Sequence, residues 1–163
     1  MELRRFGAIV FRAPIVFRAL GVMLLCTGTA YAAPATAGGP CSLLTTQQVS
    51  AVLGASFGKP IPAGAKVCEW IATGASGPNG TKKVELVLVP ANTFATRLTP
   101  MPPPITRTPM SIGDAANYET TPMGGTLSVQ KDNVYFMLQV RGVPLINQQA
   151  MEVTLAQEIV GVL

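Results

Sequence analysis

The spacing of apolar positions changes period several times along the chain, and each change marks an element. Thr45 and Gln48 stand three residues apart, the spacing of a capping box, with Leu44 and Val49 placed as a hydrophobic staple around them. Gly54 follows Leu53 where a left-handed residue closes a helix, so a helix is expected over 46–53. Alternation of period two then begins. Residues 67–73 read as a strand, 74–80 as a loop with the turn dipeptide Asn79-Gly80, and 81–89 as the return strand of a hairpin. Cys68, Trp70 and Ala72 fall on one face of the first strand, which places them together under the helix.

Residues 91–98 read as a short helix with Phe94 and Leu98 at i and i+4. Residues 99–109 contain Met101-Pro102-Pro103-Pro104, which fits neither a helix nor a central strand and is expected to run extended as a polyproline connector. A strand is expected over 112–119, a turn at Met123-Gly124-Gly125, and two strands over 126–130 and 134–141 around the hairpin Lys131-Asp132-Asn133. In the last strand Val134, Phe136, Leu138 and Val140 form one face, and Tyr135, Met137, Gln139 and Arg141 the other. Asn147 is expected to cap a final helix reaching about Val162, with Met151, Leu155, Ile159 and Val162 as its buried stripe. There is no internal repeat. Sequential strands joined by turns, with helices before and after, imply an α+β two-layer sandwich. Its expected form is a mostly antiparallel sheet of about five strands with the N- and C-terminal helices on one face.

The first 32 residues lie outside this pattern. Arginines up to Arg18 precede the apolar run from Ala19 to Cys26, and small residues then lead to Ala30-Tyr31-Ala32, an A-x-A cleavage signature. A secretory signal peptide over 1–32 is expected, cut after Ala32. The alternative, an uncleaved anchor, falls short of the ~20 apolar residues that span a bilayer. Arg4-Arg5-Phe6 leaves the general secretory and twin-arginine routes both open, and Leu25 stands where lipidation at Cys26 would want a small residue. Residues 33–40 read as a flexible linker and 41–163 as a single domain. The formal charge of +4 shrinks to +1 once the leader is removed. What remains carries no basic stripe, so no nucleic-acid partner is expected.

After the leader two cysteines remain, Cys41 and Cys68. In an oxidising compartment such a pair is expected to form a disulfide; the rival readings are two free thiols or a metal pair, although a thiolate site would want further ligands and the chain has no His. The same lack of His excludes Ser-His-Asp and Cys-His nucleophiles. The usual glycine-rich phosphate cradles do not occur, and no cofactor is implied. Ser56-Phe57-Gly58-Lys59 matches S-x-x-K, without the partner motifs that give a serine–lysine pair its chemistry. Among seven carboxylates, Glu69 and Glu85 fall on neighbouring strands, where an acid pair would need them; the plainer reading is a solvated face with Glu85 near Lys82 or Lys83. Asp114, after Gly113, is expected to bond its own loop backbone. The five remaining methionines are too scattered for a metal motif and read as packing.

Cys41-Ser42-Leu43-Leu44-Thr45, Leu53-Gly54, Cys68-Glu69-Trp70 and Ile112-Gly113-Asp114-Ala115-Ala116 form a spaced pattern. It resembles a family of exported bacterial domains of unknown function, of the actinobacterial lipoprotein type, with C-x-L-L-T, L-G, C-x-W and G-D-x-A motifs. The resemblance implies a Cys41–Cys68 disulfide, an extracytoplasmic home and a small α+β domain, and supplies no catalytic residue. The functional expectation is an exported, non-enzymatic binding or interaction module of the cell envelope. Its partner is an unknown envelope protein or small ligand, and it meets the membrane only through the leader before cleavage. Its candidate surface is the sheet face of Tyr135, Met137, Gln139 and Arg141, beside Ile71 and Val87, unless another loop covers that face. The alternatives are a small carboxylate-dependent envelope hydrolase and a purely structural envelope protein.

Overall fold

A computed structural model describes residues 38–163. The expected leader, its cleavage point after Ala32 and most of the expected linker lie outside the described residues. Order begins earlier than the 33–40 linker reading allows: a 3-10 turn spans Pro40–Ser42, and Pro40 is buried. The proline ring presets the turn's first residue, and Ser42 Oγ donates to Gly39 O at 2.8 Å.

Helix α1 covers Thr46–Leu53, as its local signals demand. The Thr45 hydroxyl accepts from the Gln48 backbone N–H at 3.2 Å, and Gln48 Oε1 accepts from the Thr45 N–H at 2.8 Å. Gly54, at φ 59°, closes the helix in the left-handed conformation. Val49 and Leu53 are buried on its inner side.

Seven strands form one antiparallel sheet: β1 (Ile61–Pro62), β2 (Val67–Ile71), β3 (Lys83–Val89), β4 (Thr106–Met110), β5 (Ala115–Thr121), β6 (Gly124–Lys131) and β7 (Val134–Arg141). Their order is β1-β2-β3-β7-β6-β5-β4. The expectation of about five strands is therefore corrected to seven. Both additional strands, β1 and β4, lie at edges and contain a proline, Pro62 and Pro109. A residue without an N–H is compatible with a strand only where one side needs no partner. The segment 99–109, expected to be all connector, thus ends as an edge strand paired with β5.

Several boundaries also move. β5 starts at Ala115 rather than Ile112, the hairpin turn is Pro122-Met123, and Gly124 and Gly125 open β6. Helix α2 spans Leu145–Val160, begins after Pro144 and is not capped by Asn147. Its buried positions are Gln148, Glu152, Leu155, Ala156 and Ile159, whereas Met151 is half-buried and Val162 exposed.

Both α-helices pack on one face of the sheet, against Cys68, Trp70, Leu86, Leu127, Phe136 and Leu138, none of which retains exposed surface. Each large apolar side chain so buried contributes about 1.5–3 kcal/mol of transfer free energy. Cys41 and Cys68 form a disulfide with Cα atoms 5.1 Å apart, fastening the Pro40–Ser42 turn to β2 beside Trp70. Across the sheet, residues Ala91–Leu98 form a 3-10 helix. Phe94 is buried there and Leu98 is exposed, because three residues per turn put i and i+4 on different sides. Among the described residues no helix is long and apolar enough to cross a membrane.

Candidate functional site

The outward residues of β7 divide into a covered half and an open half. Tyr135 is 1% exposed: the Phe94 ring meets it edge to face at 5.2 Å, and its hydroxyl lies 3.5 Å from Ser128 Oγ. It is therefore removed from the candidate binding surface, and the segment that covers it is the 3-10 helix over Ala91–Leu98. Met137 is half-buried, with Arg97 Nη2 3.6 Å from its sulfur. Gln139 and Arg141 remain accessible, and the register places them as expected near β3: Val87 opposite Met137, Glu85 opposite Gln139, and Lys83 between Ile71 and Arg141.

The carboxylates are engaged elsewhere. Glu69 and Glu85 are direct cross-strand partners, and Lys83 Nζ sits 2.6 Å from one and 3.1 Å from the other. Hydrogen bonding to Glu69 raises the Lys83 pKa, against the opposing effect of its burial. One ammonium thus bridges the two carboxylates, so the pair is taken up in a surface ion cluster. Glu119 receives Arg107 at 2.9 and 2.8 Å, with Arg97 at 3.6 Å. Asp114 does not bond its own loop. It accepts from the Asp132 N–H at 2.6 Å and from Lys131 Nζ at 3.2 Å, which lowers its pKa and ties Gly113-Asp114 to the β6–β7 turn. Glu158 accepts from Gln48 Nε2 at 2.8 Å. Ser56 and Lys59 share no hydrogen bond among the described residues; their segment makes an isolated bridge from Phe57 to Ala72, the residue after β2.

Arg141 is placed differently. Among the described residues no carboxylate lies within ion-pair distance of it. Its guanidinium donates from Nε at 3.0 Å and from Nη2 at 2.6 Å to Gln139 Oε1. Gln139 is itself anchored, because its Nε2 donates to Gly125 O at 3.3 Å and Thr126 Oγ1 at 3.4 Å. β6 thus orients Gln139, and Gln139 orients Arg141.

Arg141 and Gln139 line a cleft of about 500 Å³ at the end of the sheet, where β7 leads through Gly142 and Val143 into α2. Thr121, Met123, Leu145 and Gln148 complete most of its wall. A second cavity of about 250 Å³ adjoins it, sharing Thr121, Leu145 and Gln148 and reaching Tyr118 and Gly125. Met123, Leu145 and Ile146 stand at the rims, 94%, 59% and 88% exposed. Gln148 is only 5% exposed, and its Oε1 accepts from the Gly125 N–H at 3.1 Å. Sequence reasoning locates Gln139 and Arg141 but misses Thr121, Met123, Leu145 and Gln148. A usable signal exists in Leu145-Ile146, two bulky aliphatics directly after a helix-starting proline.

One turn of α2 beyond Gln148, Glu152 has no exposed surface. Its Oε1 accepts from the Val140 N–H at 2.8 Å, whereas Oε2 has no partner. Burial pushes its pKa up to about 8 against the opposing effect of backbone hydrogen bonds from Val140 and Leu127. Tyr118, close to it, is pushed up by its own burial and then by the Glu152 charge. Glu152 is sealed from solvent, whereas Tyr118, 5% exposed, lines the second cavity. No protein-family model matches this chain, and no curated protein or solved structure matches it either.

Proposed function

We propose that this chain is an exported, non-enzymatic binding module of the cell envelope and that its ligand occupies the cleft at Arg141. The observation that carries this reading is an accessible guanidinium, held in place by Gln139 and with no ion-pair partner among the described residues, on the wall of a cleft large enough for a small molecule. The carboxylates a hydrolase would need are spread among ion pairs, a turn and the buried layer under α2. The Cys41–Cys68 disulfide favours an oxidising compartment, which agrees with the leader expected over 1–32 and with periplasmic or secreted residence. The resemblance to exported actinobacterial lipoprotein-type domains points the same way.

A fragment library screened by amide NMR on the exported protein tests the reading. Hits are expected to shift the amides of Gly124, Arg141, Gly142 and Gln148, and to lose that effect in R141A. Hits scattered over the surface, or none at all, would overturn the assignment of a binding cleft. Turnover of envelope polymer would replace it with the hydrolase alternative.

A further inference from the structure

We infer that the cleft takes a small amphiphile with an oxyanion head, carboxylate or phosphate, and a short aliphatic tail. This inference rests on the binding-module reading and adds the ligand's chemistry to it. Three independent features supply the head site. Arg141 spends one edge of its guanidinium on Gln139, which leaves Nη1 and its remaining N–H groups in the fork geometry that suits two oxygens of one anion. Gln148, only 5% exposed, has its Oε1 fixed by the Gly125 N–H, so the amide nitrogen's orientation is set; among the described residues that nitrogen donates to nothing, and the side chain lines both cavities. Helix α2, 16 residues long, begins at Leu145 on the same wall with no side-chain cap and no acid in its first turn, so its free N–H groups and positive dipole end remain unneutralised.

Among the described residues the lining of the cleft contains no acidic side chain. A cation would meet the Arg141 charge there with no carboxylate to offset it, whereas an oxyanion meets complementary charge and hydrogen bonds. The apolar part of the ligand follows from the neighbours. Met123 and Leu145 flank the head site, and Leu145 and Ile146 continue to the smaller cavity, which Gly124, Gly125 and the Tyr118 ring also line. Exposed aliphatic surface beside a fixed cationic donor is what an amphiphile covers in one binding event.

The test titrates the exported protein with octanoate, octyl phosphate, acetate and octyltrimethylammonium while amide spectra are recorded. Saturable shifts at Gly124, Gly125, Arg141 and Gln148 are expected with octanoate or octyl phosphate, and the stronger of the two identifies the head group. Acetate is expected to bind more weakly and octyltrimethylammonium not to bind. R141A should weaken the octyl anion roughly tenfold or more, the ratio for losing a charge-assisted hydrogen bond, with amides far from the cleft unmoved. Leu145→Ser should weaken octanoate but leave acetate unchanged. Equal binding of the cationic amphiphile, or an unchanged affinity in R141A, would overturn the inference. If neutral or cationic fragments fill the cleft while both octyl anions fail, the ligand class falls and the binding module stands; a cleft empty to every probe removes both.

Discussion

A carboxyl group with no exposed surface and one unpartnered oxygen makes Glu152 sensitive to pH. Its pKa in the folded chain is about 8, against 4.5 ordinarily. Below the lower value both folded and unfolded chains hold the proton. Between the two only the unfolded chain releases it, so stability falls as pH rises through this window and levels off above about 8. The loss is on the order of a few kcal/mol. E152Q keeps the acceptor for the Val140 N–H and removes the titration. Urea midpoints measured at about pH 5 and about pH 9 should converge in the variant and diverge in the native chain, and parallel behaviour would refute the assignment. Gly125 gives a second prediction at this scale. A Cβ built there runs into the Tyr118 hydroxyl. G125A should cost about 1–3 kcal/mol through overpacking, and less in a Tyr118→Leu background, because clash and ring are one event. A cost unchanged by the second substitution would place the strain elsewhere.

Elements that carry their own signals are legible from the amino-acid sequence alone, and α1 is the clearest. Thr45, Gln48 and Gly54 act within a single turn of their targets, so spacing alone locates the helix. Thr45→Ala should lower stability by about 1 kcal/mol, whereas Thr45→Ser should cost little, as read from urea midpoints. Equal losses in the two would mean that the methyl group, not the cap hydrogen bond, is what matters. The central hairpins are equally readable because alternation fixes both register and face, including Met137, Gln139 and Arg141 outward on β7. Edge strands are not, since Pro62 and Pro109 are tolerated there by an absence of neighbours that sequence does not record. The covering of Tyr135 is hidden for a related reason: Phe94 reaches it across some forty residues of chain. The cleft is half legible, because Arg141 and Gln139 share a strand while Thr121, Gln148 and Leu145 arrive from the end of β5 and the start of α2.

At the scale of the whole molecule the question is what the disulfide adds to a domain that already buries a continuous core. The bridge joins positions 27 residues apart, and the loop-entropy relation gives roughly 3.5 kcal/mol for such a closure. Against a typical domain stability of about 5–15 kcal/mol that is a large share. It encloses α1, β1 and the start of β2, so it acts on the one edge of the sheet whose outer strand has only two residues. Two mechanisms predict different data for the double variant Cys41→Ala with Cys68→Ala. If the bridge acts by restricting the unfolded chain, the urea midpoint falls and the slope of stability against urea rises, because the freed chain exposes more surface when unfolded. If it acts by packing Cys68 beside Trp70, the midpoint falls at constant slope and the tryptophan fluorescence of the folded form shifts as its surroundings loosen. The position of Cys41 in a half-buried turn, outside the centre of the core, favours the first outcome. A steeper slope with an unshifted native emission spectrum is therefore expected, and a shifted spectrum at constant slope would reverse the assignment.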